Sequence, residues 1–345
     1  MPGVVRHADH PLFFMTATPQ QFDLFKRIID PARRIVLTTH LNPDGDGIGS
    51  ELALAAYLTE SGKDVNILNH SATPDFYQFL DSGNIVRQFD PSAHARIIKE
   101  ADVIIIVDTN HPDRIADLRD HVLESPAKKI VIDHHLDPHP FADLSVIDDS
   151  CAATGEIIFR LLEHLGASPR SPSAATALYA AIMTDTGSFR YPKTDGELHR
   201  IVAKLLDCGV DPVETYRQIY DQAPLNRIVL LGKALSTLET FHDGRVAVIT
   251  VDRNLFHQTE TTESDVERFV PFAMGIKGVQ IGLLFVELQD HVKISFRSLG
   301  DIWVNRLAQE FGGNGHKNAA GARVNSTTLK DLKKSVVDRS HHYLL

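Results

Sequence analysis

Two cysteines, Cys151 and Cys208, are all that the 345 residues contain. That scarcity excludes a disulfide framework and a zinc–thiolate cluster, and it points to a reducing, cytoplasmic setting. A single tryptophan, Trp303, and an aromatic content of 7% offer few faces on which the bases of a long single strand would stack. Cations are short as well: 35 Lys+Arg face 45 Asp+Glu, for a formal charge of -10. Coating a long duplex takes many cationic phosphate contacts, so that class of function is excluded. A small phosphate-bearing substrate is not, because bound metal supplies local positive charge. No apolar run approaches the roughly 18 residues of a membrane-spanning helix. The patch Pro11-Leu12-Phe13-Phe14 lacks the core of a signal peptide, and residues 1–18 read as an irregular arm. There is no internal repeat and no low-complexity tract.

What remains is an ordinary globular balance, 43% hydrophobic and 23% charged, in a chain long enough for two domains. Strand and helix signals alternate from residue 33 to about 185. β-Branched or apolar runs at 34–39, 64–69, 102–108, 128–133 and 144–147 read as strands. The runs at 102–108 and 128–133 are nearly continuous Val and Ile, as expected of strands buried on both faces of a parallel sheet. Helical stretches fall between them at 49–60, 93–100 and 154–165. The expected fold class is α/β: a doubly wound, mainly parallel sheet domain over 19–195. A helical linker follows over 196–240, with Pro212 and Pro224 as helix starts. A smaller mixed α/β domain over 241–345 carries strands at 245–251, 279–288 and 292–296, with Gln289-Asp290 as a tight turn, and helices at 302–311 and 328–338.

The chemistry-bearing residues stand where the buried strands end, the edge at which open α/β sheets bind ligands. The first strand runs into His40-Leu41-Asn42-Pro43-Asp44-Gly45-Asp46-Gly47, an irregular glycine-containing loop that turns His40, Asp44 and Asp46 toward one point. Asp108 ends the second long strand and Asp133-His134-His135 the third. Asp185 follows the apolar helical run 174–183. One Asp at a strand end ordinarily caps a turn. Four separate ends delivering carboxylate or imidazole are harder to assign to turns. Gathered without cations, Asp44, Asp46, Asp108 and Asp185 repel one another; two divalent ions balance them. Oxygen-rich ligands with a few histidines and no thiolate favour Mn²⁺, with Mg²⁺ or Co²⁺ as alternatives, in a two-metal arrangement suited to phosphoryl chemistry.

His40-x-Asn-Pro-Asp44-x-Asp46, Asp108, Asp133-His134-His135 and Asp185, in that order, resemble the four motifs of the DHH phosphoesterases. Phe311-Gly312-Gly313-Asn314-Gly315-His316-Lys317-Asn318-Ala319-Ala320-Gly321 resembles the glycine-rich motif of the DHH-associated substrate domain. The resemblance covers residues 33 to 325 or so. It implies one ion on His40, Asp44 and Asp108 and a second on Asp46, Asp108, His134 and Asp185. His135 would then face the substrate as a catalytic residue, and Asp133 would orient the adjacent histidine. It further implies phosphate binding by Arg297, Gly312, Gly313, Gly315 and His316, and an active site in a cleft between the domains. Asn314 departs from the family's usual run of four glycines, which puts the contact at that position in question.

Within that family the length of the chain leaves no room for the extra nucleic-acid domain of the larger single-strand exonucleases. Nor does it hold the membrane and sensor segments of the cyclic-dinucleotide phosphodiesterases. The compact nano-RNase group remains. The expected function is hydrolysis of short oligoribonucleotides to 5′-mononucleotides, removal of the 3′-phosphate of 3′-phosphoadenosine 5′-phosphate, or both. Alternatives are a soluble phosphodiesterase of linear or cyclic dinucleotides and, in another class, a non-catalytic nucleotide-binding regulator. The regulator would have lost a ligand, and none is missing. Expected partners are short RNA or nucleotide phosphates, with no membrane and no long duplex; pairing into a homodimer is left open.

Overall fold

The computed structural model of the chain describes residues 16–345 apart from 168, 170 and 326, and of His316 the main chain only. The expected N-terminal arm, 1–18, therefore lies almost wholly outside the described residues. Between Gln222 and Ala223 the chain divides into two compact units. The division falls within the 196–240 segment expected as a linker. Its helices are shared out: Leu198, Ile201 and Leu205 of Gly196–Asp207 enter the first core, and Leu230 and Ala234 of Leu225–Leu235 enter the second.

The first unit is a doubly wound α/β fold. Its strands are β1 (Arg34–Thr38), β2 (Asp64–Asn69), β3 (Val86–Gln88), β4 (Val103–Val107), β5 (Lys128–Asp133) and β6 (Leu144–Ile147). They pair in the order β3-β2-β1-β4-β5-β6, every neighbour parallel. Alternation of side chains divides the central strands between two cores. Ile35, Leu37, Val103, Ile105 and Val107 join one core with Leu54 and Leu58, while Val36, Ile104, Ile106 and Val131 join the other with Ile98 and Leu118. Each such side chain contributes about 1.5–3 kcal/mol on full burial, and all five residues of β4 are buried.

Two local features depart from expectation. A helix at Pro19–Ile29 precedes the first strand, started by a Thr18–Gln21 capping box with Pro19 in its first turn. The helix after β1 begins at Gly45, not at residue 49, so Asp46 lies in its first turn and Asp44 is its N-cap. Asp44 Oδ1 accepts the amides of Asp46 and Gly47 at 3.0 and 3.1 Å. The glycines there serve close packing rather than a turn. A Cβ on Gly47 would stand 2.6 Å from Thr39 Oγ1, and one on Gly49 2.2 Å from the carbonyl oxygen of Ala177.

The second unit is a mixed sheet of β7 (Glu239–Phe241), β8 (Val246–Val251), β9 (Ile281–Glu287), β10 (His291–Ser298), β11 (Asn314–His316) and β12 (Ala319–Asn325). Their order is β11-β12-β10-β9-β8-β7. Only β8 and β9 pair in parallel, through a helical crossover; the other neighbours are antiparallel. Gln289-Asp290 turns the β9–β10 hairpin, closed by the Leu288 amide on the His291 carbonyl at 2.9 Å. The helix expected at 302–311 is confined to Val304–Gln309, because the chain must reverse at Gly312 to enter β11.

Candidate metal centre

At the carboxyl edge of the first sheet, β1, β4 and β5 deliver His40, Asp108 and His134, while Asp46 and Asp185 come from the first turn of Gly45–Glu60 and the last residue of Pro172–Asp185. His40 Nε2 lies 3.2 Å from Asp108 Oδ2 and 3.8 Å from Asp44 Oδ1. His134 Nε2 lies 3.2 Å from Asp185 Oδ2, 3.7 Å from Asp108 Oδ1 and 3.8 Å from Asp46 Oδ2. His40, Asp44 and Asp108 thus offer one set of ligand atoms within 4.8 Å of one another, and Asp46, His134 and Asp185 a second. Asp108 faces both histidines through different oxygens.

Asp108 adopts φ +58°, a left-handed conformation that costs a residue with a Cβ roughly 1–2 kcal/mol. Its amide donates to the Ile132 carbonyl at 3.0 Å and its Oδ1 accepts from Thr154 Oγ1 at 3.1 Å. Asp46 is fully buried. Its carboxylate accepts the amides of Thr154 at 2.7 Å and Gly155 at 2.9 Å. These amides open the helix Thr154–His164, whose own N-cap, Ala153, supplies no side-chain bond. An aspartate 108 residues earlier in the chain therefore caps that helix, and the positive end of the helix in turn steadies the carboxylate. Thr154 and Gly155 were not anticipated as site residues. Gly155 leaves room because a Cβ there would press on Ala181 Cβ at 2.7 Å.

Charge makes the demand for cations explicit. Burial, and then the neighbouring Asp44, push the Asp46 carboxyl up to about 7. Burial, followed by Asp46 and Asp44, holds Asp108 and Asp185 well above the usual carboxylate range. Burial opposes a charge on His40, yet Asp108 and Asp44 raise its affinity for a proton well beyond the ordinary. Cations relieve this mutual repulsion. The donor set is oxygen and imidazole nitrogen; the nearby Cys151 presents its carbonyl, 3.4 Å from His134 Nδ1, while burial keeps its thiol protonated. These residues fit divalent ions of the kind that carboxylate and imidazole select.

His135 follows on the same loop. Its Nδ1 lies 2.6 Å from Asp133 Oδ1 and 3.8 Å from Asp108 Oδ1. Asp133, expected to orient the adjacent histidine, is therefore paired with the next one along. The turn is held by Asn110, whose Nδ2 donates to the His135 carbonyl at 2.9 Å. In the second unit Arg297 on β10 and His316 on β11 both register with Ala319 of β12, which lies between those strands. The side chain of His316 lies outside the described residues. Arg297 Nη1 donates to the Phe296 carbonyl at 2.9 Å. Gly313 and Gly315 permit β11 to approach: a Cβ would stand 2.2 Å from the Gly321 carbonyl oxygen in the first case and 2.5 Å from that of Ala319 in the second. Gly312 and Gly315 have φ +73° and +147°. Among the described residues no helix is long and apolar enough to cross a membrane.

Comparison with known proteins agrees with this geometry. The DHH family, N-terminal domain, matches residues 34–182, and the DHHA1 domain matches residues 243–340. Over 312 residues the chain is 30% identical to the bifunctional oligoribonuclease and PAP phosphatase NrnA of Thermus thermophilus, covering 88% of each. It is 29% identical over 296 residues to the protein of the same name from Bacillus subtilis, covering 85% of this chain and 90% of that one. The crystal structure of an exopolyphosphatase-related protein from Bacteroides fragilis matches with a TM-score of 0.90 and 33% identity, covering 94% of this chain and 97% of that one. The chain belongs to the DHH family, a phosphoesterase in which a DHH domain is followed in sequence by a DHHA1 domain, and it is a hydrolase of phosphate esters.

Proposed function

We propose that the chain is a Mn²⁺-dependent nano-RNase that shortens oligoribonucleotides of a few residues to 5′-mononucleotides and removes the 3′-phosphate of 3′-phosphoadenosine 5′-phosphate. The observation that carries this reading is the convergence of His40, Asp44 and Asp108 beside Asp46, His134 and Asp185. The relatives' names add both substrates. Both reactions break the same bond: water oxygen joins phosphorus, the P–O3′ bond breaks, and the ribose leaves with a 3′-hydroxyl. One site therefore serves both.

In this reading His40, Asp44 and Asp108 hold one ion, and Asp46, Asp108, His134 and Asp185 the other. Bound there, a pair of divalent ions supplies a water nucleophile at neutral pH and charge stabilisation for the phosphoryl oxygens. The chain's own residues do the rest. Asp133, held ionised by its contact with His135 against the cost of burial, keeps a proton on His135 Nδ1. Nε2 is then the atom that meets the substrate, and when protonated it donates to the departing 3′-oxygen. Arg297 grips a phosphate by its guanidinium fork, with His316 and the backbone at Gly312, Gly313 and Gly315 completing the grip. The substrates and metal so assigned suit the cytoplasm.

The test is hydrolysis of 5′-labelled RNAs from dimers to 24-mers, with and without Mn²⁺, beside 3′-phosphoadenosine 5′-phosphate and a cyclic dinucleotide. Asp108→Ala and His135→Ala serve as controls. Fast Mn²⁺-dependent cleavage of dimers to tetramers, lost in both variants, is expected. Equal or better cleavage of 24-mers overturns the nano-RNase reading in favour of a processive exonuclease. Preference for the cyclic substrate moves the assignment to a dinucleotide phosphodiesterase.

A further inference from the structure

Beneath the metal centre runs a chain of buried polar contacts that the proposed reaction does not use. Glu51, Asn69, Thr38 and Thr39 are all fully buried. Asn69, the last residue of β2, donates from Nδ2 to Glu51 Oε2 at 2.8 Å. Its Oδ1 accepts the Thr39 amide at 3.2 Å and the Thr38 hydroxyl at 3.4 Å. Thr39 in turn donates its hydroxyl to the Val107 carbonyl at 2.9 Å. Three adjacent strand ends are tied in a row, β2 to β1 to β4. The tied residues stand immediately before two of the ligands: Thr39 precedes His40, and Val107 precedes Asp108.

Glu51 is an expensive way to end that row. Among the described residues its Oε1 has no hydrogen-bond partner, and an unsatisfied buried oxygen costs about 1–3 kcal/mol. A leucine of similar volume would fill the space without that penalty. The carboxyl earns its place through the one bond it makes. An Asn amide has an acceptor side and a donor side, and an acceptor holding its NH₂ group reinforces the orientation in which its oxygen faces Thr39. The helix that carries Glu51 also bears Gly47 one turn earlier, on the same face. Gly47 is the position where a Cβ would collide with Thr39 Oγ1 at 2.6 Å. The acceptor for Asn69 and the clearance for Thr39 thus come from one helical face.

We propose that Glu51 is a positioning residue for the metal centre: through Asn69 it fixes Thr39, and through Thr39 it fixes the spacing between His40 and Asp108. The inference rests on the reading of His40, Asp44 and Asp108 as ligands of one ion. It predicts an asymmetry. The ion on His40, Asp44 and Asp108 depends on both ends of that spacing. The other shares only Asp108 with it; its further ligands Asp46, His134 and Asp185 lie outside the row, and Asp46 is held by the amides of Thr154 and Gly155.

The experiment is a calorimetric Mn²⁺ titration of the full chain stripped of metal, read as two sites, with the thermal midpoint recorded for every variant. Glu51→Leu is expected to weaken one ion about 10-fold, the lower end of what outer supports of metal ligands contribute, and to leave the other within about 3-fold. Glu51→Gln is expected to recover most of that loss, since its amide oxygen still accepts from Asn69. Thr39→Val, which keeps the shape and deletes the bond to Val107, is expected to weaken the same ion, and it carries the test if Glu51→Leu does not fold. In a His40→Ala background, Glu51→Leu should change the remaining ion no further. Wild-type affinity at both sites in Glu51→Leu and Thr39→Val overturns the proposal, as does equal weakening of both ions with a lowered thermal midpoint. Fewer than two ions bound by the wild type overturns the dinuclear reading itself, a separate result visible before any variant is made.

Discussion

Asp133 Oδ1 stands 2.6 Å from His135 Nδ1, whereas His134, between them in sequence, directs its Nε2 to Asp185 at 3.2 Å. Two neighbouring imidazoles thus face different partners, one the carboxylate behind it and one the cluster of candidate ligands.

That division makes Asp133→Asn informative. An asparagine of the same shape can offer its NH₂ group to Nδ1, which strips the proton from that atom and moves it to Nε2. The ring then meets the substrate as a neutral Nε2–H, a far weaker acid than the imidazolium that a carboxylate at Nδ1 stabilises. With saturating Mn²⁺ and a short RNA, kcat is expected to fall about 100-fold or more, while KM changes less than about 3-fold. Steady-state kinetics decides; a raised KM at unchanged kcat would assign Asp133 to substrate binding instead.

Glu51 makes a pH-dependent prediction. Burial pushes its carboxyl up to about 8, from the ordinary 4.5. Between those values the folded chain keeps a proton that the unfolded chain has released. The folded state binds more protons there, so this group costs stability progressively as pH rises from about 4.5 to about 8. Glutamine carries no such proton. In urea unfolding of the metal-free protein, the stability of Glu51→Gln relative to wild type is expected to increase from pH 5 to pH 8. A difference that stays flat would show that Glu51 is not a protonated acid in the fold.

Glycine-to-alanine changes around β11 should fall into two ranks. At Gly313 the new Cβ meets the Gly321 carbonyl oxygen at 2.2 Å and Ala322 Cβ at 2.8 Å; at Gly315 it meets the Ala319 carbonyl oxygen at 2.5 Å. Overpacking against backbone costs about 1–3 kcal/mol or more. At Gly312 nothing lies within 4 Å, so only the left-handed φ is penalised, by about 1 kcal/mol. Thermal denaturation is expected to place Gly312→Ala above both others. If Gly312→Ala is the least stable, β11 does not pack as described.

How much of this was readable in advance follows from where each signal resides. β4 was plain because every one of its residues is buried, so its composition is extreme. The start of the helix at Gly45 was misplaced because Asp-Gly-Asp-Gly reads locally as a turn. Its glycines answer to Thr39, across the loop that follows β1, and to Thr184, far along the chain. The helix Pro19–Ile29 has a local sign, the Thr18-Pro19-Gln20-Gln21 capping sequence, in a stretch between the arm and the first strand for which no element is expected. β3 and β7 span three residues each, too few for any period to declare itself. The metal-ligand candidates were visible as residue types at strand ends. That Asp133 serves His135, and that Thr154 and Gly155 hold Asp46, depends on folded contacts that no local pattern encodes.

The contact at Gly49 carries a last consequence. The helices Gly45–Glu60 and Pro172–Asp185 bring Asp46 and Asp185 to the same histidine, and at Gly49 they touch backbone to backbone, with no space for a Cβ beside the Ala177 carbonyl. A distance set by main chain against main chain has no graded alternatives. Any larger residue at that seam pries Asp46 from Asp185, whereas exchanges on the outer faces of either helix leave the gauge untouched. The dimensions of the centre are thereby insulated from drift in most of the residues around it. Substitutions on the outer surface of the unit can therefore accumulate without altering the distance between Asp46 and Asp185.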